Sequence, residues 1–229
     1  MSSKITIAID GFSSTGKSTL AKQLASQLGY VYVDTGAMYR AITLFAMQNG
    51  YIADGFFDKE SLRHSLPYIR LQFQFKPELG FAVMILNDVD VEKEIRSIEV
   101  SSFVSKVAEL AEVRQKLVEQ QQEMGKNKGI VMDGRDIGTV VFPDAELKIY
   151  MTASAATRAQ RRYDELVAKG DSVSYDEVFN NVVERDYIDT HRDNSPLIKA
   201  ADAIEIDNSN MTREEQLALV LDLVQKANS

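Results

Sequence analysis

Gly11-Phe12-Ser13-Ser14-Thr15-Gly16-Lys17-Ser18 fits the pattern G-x-x-x-x-G-K-[ST] in full, a spacing that suits a polyphosphate. Backbone N–H groups must converge on phosphate oxygens, so glycine is required where a side chain would block the approach or φ turns positive. A helix starting at Lys17 would add the positive end of its dipole and its open N–H groups. In that arrangement Lys17 reaches the β- and γ-phosphates of ATP, and the Ser18 hydroxyl bears on Mg²⁺ directly or through water. Phe12, Ser13, Ser14, Thr15 and Thr19 complete the ATP-contacting stretch. The plain alternative is a Gly/Ser turn capping a helix. Phosphate binding alone does not make a kinase, because GTPases, motors and nucleotide-dependent scaffolds share such a loop.

Particular elements must position this loop. Ile5-Thr6-Ile7-Ala8-Ile9, ending at Asp10-Gly11, reads as a buried strand, and Leu20, Leu24 and Leu28 predict a helix from about Lys17 to Leu28. Tyr30 to Val33 reads as a second strand, followed by a helix carrying Met38, Ile42 and Phe45. Strands at Ile130–Met132, Leu147–Met151 and Ala203–Asp207 alternate with helices near Ser154–Lys169, Tyr175–Tyr187 and Leu217–Val224, predicting an α/β fold with a parallel sheet. The rhythm breaks at Ile69 to Leu86, where apolar and polar residues alternate on either side of Pro77-Glu78-Leu79-Gly80. That predicts an antiparallel hairpin, hence an inserted β subdomain, at about 60–95. Residues from about Ser97 to Met124 read as helical.

Strand ends of an open parallel sheet face the ligand crevice. Two further segments follow strands and combine carboxylates, Gly and Arg: Asp34 to Arg40 (D-T-G-A-M-Y-R) and Asp133 to Ala145 (D-G-R-D-I-G-T-V-V-F-P-D-A). Taken singly, Asp34 and Asp133 suit helix N-caps or turns as well as function, and Arg40 suits an ordinary surface. With E-I-R-S at Glu94 to Ser97, R-D-x-x-D-x-x-R from Arg185 to Arg192, Pro196-Leu197 and Ala201-Asp202-Ala203, nearly the whole chain resembles the bacterial cytidylate kinases of the nucleoside monophosphate kinase family. One departure is that Phe12 stands where the family's loop commonly has Pro, with Ser14 and Thr15 beyond it.

The resemblance implies a P-loop nucleoside monophosphate kinase spanning residues 1–229 as one domain. It would have a mobile monophosphate-binding region that includes the β insert, and an Arg-rich lid at about 155–172. It implies phosphoryl transfer from ATP to CMP, and to dCMP, in pyrimidine nucleotide metabolism, with Mg²⁺ accompanying ATP. By resemblance, Arg40, Arg135 and Arg192 hold the acceptor phosphate and the transferring group, and Thr35 sits beside the monophosphate. Arg185 and Asp189 contact the ribose, while Ser105, Arg114 and Asp136 read the cytosine edge. Arg158 and Arg162 belong to the lid over ATP and share one helix face, with Arg161 expected to point elsewhere. A solvated face salt-bridged through Asp164, Glu165 or Asp176 is the alternative for the lid arginines.

Composition narrows the partners. A net charge of −8 argues against a general nucleic-acid binder, while clusters at Arg158, Arg161, Arg162 and Arg185, Arg192 suit a small polyanion in a cleft. Without Cys there are neither disulfides nor thiolate metal sites. Met1-Ser2-Ser3-Lys4 leads into the first strand rather than a signal peptide, and no run is apolar enough to span a bilayer. A cytoplasmic protein is therefore expected, and the resemblance implies a monomer, with His64 and His191 as surface or packing residues. Adenylate, shikimate or uridylate kinases are the nearest rivals. A regulatory GTPase would need a motif such as N-K-x-D, which the chain lacks.

Overall fold

The computed structural model describes residues 4–53, 55–78 and 80–228. In chain order the elements are β1 (Thr6–Gly11), α1 (Lys17–Leu28), β2 (Val31–Asp34), α2 (Thr35–Gln48), β3 (Ile52–Ala53), β4 (Phe56–Phe57), α3 (Lys59–Ser65), β5 (Leu71–Lys76), β6 (Phe81–Leu86) and β7 (Val89–Asp90). They continue as α4 (Ile98–Ala108), α5 (Ala111–Gly125), β8 (Ile130–Gly134), β9 (Leu147–Thr152), α6 (Ala155–Ala168), α7 (Tyr175–His191), β10 (Ile204–Asp207) and α8 (Arg213–Ala227). Contacts divide the chain into two compact units. One runs to Val33 and resumes at Met124; the other is Asp34–Glu123.

The first unit carries the α/β sheet, in the order β10-β9-β1-β8-β2. β1 lies in the centre, parallel to both β8 and β9, and β10 is parallel to β9. A central parallel strand is covered on both faces, so all six residues of β1 are buried, Ile7-Ala8-Ile9 forming its apolar centre. Ile5, Ile7 and Ile9 project into a core shared with Leu20 and Leu24 of α1 and Val220 and Val224 of α8. Burying each such side chain is worth about 1.5–3 kcal/mol. α1 ends at Gly29, whose φ of 64° makes the left-handed C-terminal turn.

The second unit has its own core, in which Met38 and Ile42 of α2 meet Leu62, Ile69, Met84, Ile95, Val107, Val113 and Leu117. The antiparallel hairpin expected between Ile69 and Leu86 is present, pairing Leu71 with Leu86 and Lys76 with Phe81. Leu79 of its turn lies outside the described residues, as do Met1 to Ser3.

The helical stretch expected from Ser97 to Met124 is made of two helices. Leu110 is buried between them, and its carbonyl accepts the Arg114 N–H to start the second. A third strand, β7, extends the hairpin through Asn87-Asp88, which adopt φ of 46° and 69°, the paired positive values of a two-residue hairpin turn. The β3–β4 pair and α3 were also not expected. Asp58 caps α3 by accepting the Ser61 N–H.

Candidate active site

The phosphate loop leaves the C-terminal end of β1 between those of its two neighbours, with Asp10 in register with Gly134 and Gly11 with Met151. Gly11 is obligatory, because a Cβ there would stand 2.0 Å from the Met151 carbonyl oxygen. Gly16 is the N-cap of α1 at φ 92°, and no side chain caps the helix. The N-terminus of α1 thus keeps the open N–H groups that an anion needs. Lys17 is buried and folds back over the loop, its Nζ donating to the Phe12 carbonyl and, at 3.3 Å, to Thr15 Oγ1. Burial, then the like charge of Arg135, lowers its ammonium to about 7. A polyphosphate would reverse that. Phe12 is a packing element: its ring lies edge-on to Tyr150, with the Arg158 guanidinium 5.0 Å over it.

Ser18 Oγ donates to Asp133 Oδ2 at 2.9 Å, and Tyr32 donates to the other carboxylate oxygen at 2.8 Å. Asp133 is therefore no helix cap but an acidic group aimed at the P-loop from the end of β8. A hydroxyl and a carboxylate side by side are the hard oxygen donors that suit Mg²⁺, which keeps its remaining positions for phosphate and water. Sequence reading assigned only Ser18 here.

The second arginine-bearing segment converges on α7. Arg135 Nε donates to Asp189 Oδ2 at 2.8 Å, and Arg192 donates from Nε and Nη2 to the Ser195 carbonyl at 2.9 and 2.7 Å. Burial alone would raise the Asp189 carboxyl, but Arg135, Arg185 and Arg192 outweigh it and hold it below its usual value. Asp136, also buried, begins the turn that follows β8.

Of the lid arginines, Arg158 is buried and tied to Asp186 by two bonds, at 2.9 and 2.5 Å, and to the Ala153 carbonyl at 2.9 Å. Arg162 pairs with Glu165 at 3.0 Å, as the alternative reading allowed. The expectation that Arg161 points elsewhere is wrong. Its Nη1 lies 3.3 Å from the Thr15 carbonyl and 3.1 Å from Asn208 Oδ1, because a three-residue step keeps it on the same helix face as Arg158. Asn208 is fully buried and donates to the Thr15 carbonyl at 2.6 Å and to Gln216 at 2.8 Å. Thr15, Arg161, Asn208 and Gln216 line a cleft of about 490 Å³ beside the P-loop, together with Arg162 and Gln23, and Arg158 lies outside it.

In the second unit Asp34 caps α2 by accepting the Ala37 N–H at 2.9 Å, and its carboxylate also pairs with Arg40 at 3.0 Å and Arg96 at 2.8 Å. Burial would raise this carboxyl, but the two guanidinium groups hold it well below the ordinary carboxylate range. Gly36 allows the approach, since a Cβ would come within 2.9 Å of Arg40 Nη1. Thr35 and Ser105 are buried. Arg114 is buried with its guanidinium 5.4 Å from the Tyr39 ring centre and donates to the Ala108 carbonyl. His64 and His191 are exposed.

Sequence reading missed Asp10, Asp133, Arg96 and Asn208 as site-building residues. Arg96 lay within a quoted motif, and Asp133 at a strand end; Asn208 carried no signal.

Comparison with known proteins gives a consistent picture. The cytidylate kinase family pattern matches residues 7–226. A cytidylate kinase of Flavobacterium psychrophilum is 72% identical over 96% of this chain and 98% of its own. One of Flavobacterium johnsoniae is 73% identical over 96% of each chain. A solved structure of an uncharacterized Eubacterium ventriosum protein, 11% identical, aligns over 97% of this chain and 99% of its own with a TM-score of 0.50, a likeness of fold alone. With the P-loop intact and the match running nearly end to end, this chain belongs to the cytidylate kinase family.

Proposed function

We propose that this enzyme transfers the γ-phosphoryl group of ATP to CMP, and to dCMP, giving ADP and CDP or dCDP. The observation that carries the proposal is a family match that includes an intact phosphate loop with a buried Lys17 at its centre. The new bond joins a CMP phosphate oxygen to the γ-phosphorus, and the bond from that phosphorus to the β–γ bridging oxygen breaks. The attacking oxygen is already anionic near neutral pH, so no general base is required. The task is to bring two polyanions into line, by positioning and by cations.

In this reading Lys17, Arg40, Arg135 and Arg192 serve the phosphates, with Arg giving the planar two-point contact that Lys cannot. Gly11 to Thr19 hold ATP with Arg158 and Arg162, and Arg161 joins them from its place in the cleft. Thr35, Arg185 and Asp189 hold the monophosphate and ribose, and Ser105, Arg114 and Asp136 read the base. Ser18 and Asp133 would hold Mg²⁺, which neutralises phosphate charge when bound. Both units form one kinase domain of residues 1–229, the β insert at about 60–95 belonging to the monophosphate-binding region. The enzyme works as a monomer in the cytoplasm, in pyrimidine nucleotide metabolism, with no nucleic-acid or membrane partner. No helix among the described residues is long and apolar enough to cross a membrane.

A coupled assay with ATP, Mg²⁺ and each acceptor in turn tests this. CMP and dCMP should turn over fastest, UMP more slowly, and AMP, GMP and shikimate negligibly. A preference for AMP or shikimate would replace the assignment.

The lid is expected to close over ATP from its distal part. Arg158 is already pinned by Asp186 and the Ala153 carbonyl, so the segment that closes is about 162–172 rather than the whole of 155–172. Closure excludes water that would otherwise hydrolyse ATP. Hydrogen exchange should slow at about 162–172 on adding a bisubstrate analogue, and unchanged exchange there would remove the lid assignment.

A further inference from the structure

Asp10 is the last residue of β1 before the obligatory Gly11, and only 5% of it is exposed. Its carboxylate accepts two backbone N–H groups from a segment more than a hundred residues away, Ile137 at 2.8 Å and Gly138 at 2.7 Å. Those N–H groups open a wide turn over Ile137–Val141, in which Val140 and Val141 donate back to the Asp136 carbonyl and Phe142 to that of Ile137. No local side chain caps this turn. A wide turn of this kind exposes its first N–H groups as a helix terminus does, and a carboxylate is the natural acceptor.

The same residue is held to this segment a second way, since the Asp10 backbone is in register with Gly134. Arg135 and Asp136 therefore lie between two points fixed to one amino acid. From the other side, a Cβ on Gly138 would stand 3.1 Å from Lys148 Cδ and 3.3 Å from Asp10 Oδ2. Lys148 is itself anchored, pairing with Asp202 at 2.8 Å and donating to the Pro143 carbonyl. Burial pushes the Asp10 carboxyl up to about 6, against the pull of its two N–H partners. A carboxylate kept at that cost has a use beyond filling space.

We infer that Asp10 is a positioning residue for phosphoryl acceptance, capping the turn after β8 so that Arg135 and Asp136 are held in register with the phosphate loop. It makes no contact with substrate itself. The inference rests on the assignment of Arg135 and Asp136 to the monophosphate.

The test is Asp10→Asn, which is nearly isosteric but offers one acceptor and turns a donor toward the second N–H. The full chain would be assayed with ATP and with CMP or UMP. Losing one charge-assisted bond should lower kcat/KM for CMP about 10- to 100-fold and narrow the CMP-to-UMP preference, with KM for ATP changed less than about twofold. Hydrogen exchange should quicken at 137–141, and the Lys17–Leu28 helix should keep its protection. Gly138→Ala keeps the Asp10 carboxylate itself but crowds it and Lys148 from the turn's side, and should shift the same two quantities in the same direction. If Asp10→Asn lowers the melting temperature and depresses CMP, UMP and ATP parameters together, Asp10 is only a structural residue and the inference fails. An unchanged CMP-to-UMP ratio with unchanged exchange at 137–141 also overturns it. Should wild-type enzyme itself prefer another acceptor, the acceptor assignment fails; faster exchange at 137–141 in Asp10→Asn would then still support the cap.

Discussion

Lys17→Ala is expected to lower kcat for CMP phosphorylation by about 100- to 1,000-fold while the fold survives. The ammonium is aimed at phosphates whose negative charge redistributes as the γ-phosphorus moves, so its contribution grows toward the transition state. Stability should change little, because the bonds of Lys17 are to its own loop and burial already weakens its hold on a proton. The Phe12 carbonyl that loses Nζ keeps the Thr15 hydroxyl as a donor at 3.1 Å. Circular dichroism and melting temperature should therefore match wild type while single-turnover rates collapse. A variant retaining more than about a tenth of wild-type turnover would show that Lys17 does not stabilise the transferring group.

The second large effect concerns choice of base, and Asp136→Asn should expose it. Cytosine presents an amino donor at C4 and an acceptor at N3; uracil presents the reverse. In the proposed arrangement a carboxylate at Asp136, helped by Ser105, accepts from the amino group, and Arg114 donates to N3 and O2. Uracil would set its C4 carbonyl against the carboxylate and its N3–H against the guanidinium. Each buried mismatch costs about 1–3 kcal/mol, and more where a charge is involved. Together they would separate CMP from UMP by about two to four orders of magnitude in kcat/KM. The asparagine amide can donate to a C4 carbonyl, so the variant should lose activity on CMP and narrow the gap to UMP. Steady-state kinetics with both acceptors decides it. If the preference ratio is unmoved, Asp136 serves only the turn after β8.

What was legible in the sequence was local. The P-loop, the helix behind it and the alternation of Ile69 to Leu86 are short-range patterns, fixed by backbone sterics and by which side of an element meets water. The hairpin turn at Asn87-Asp88 and the Asp54-Gly55 dipeptide between two short apolar runs were equally local and were passed over. Asp10, Asp133 and Asn208 are different in kind. Ser18 meets Asp133 across 115 positions, Asp10 meets Ile137 across 127, and Asn208 meets Thr15 across 193. Such partnerships exist only once strand order is set, and nothing in the spacing of one segment reports them. Arg161 was misjudged because the four-residue step from Arg158 to Arg162 was weighed and the three-residue step from Arg158 to Arg161, which also keeps a face, was not.

The strand order also fixes a sequence of events during synthesis. β1 is translated well before its partners, since Thr6 pairs with Ile130 and Ile7 with Leu147. It must wait unpaired while more than a hundred further residues are translated. Residues 34–123 are contiguous, with a core of their own, so their contacts can form in the meantime. Gly11 takes up its packed position only when Met151 arrives beside it. The nucleotide cradle is thus encoded ahead of the strands that shape it, and it takes its packed form only once β9 has been made, more than a hundred residues later.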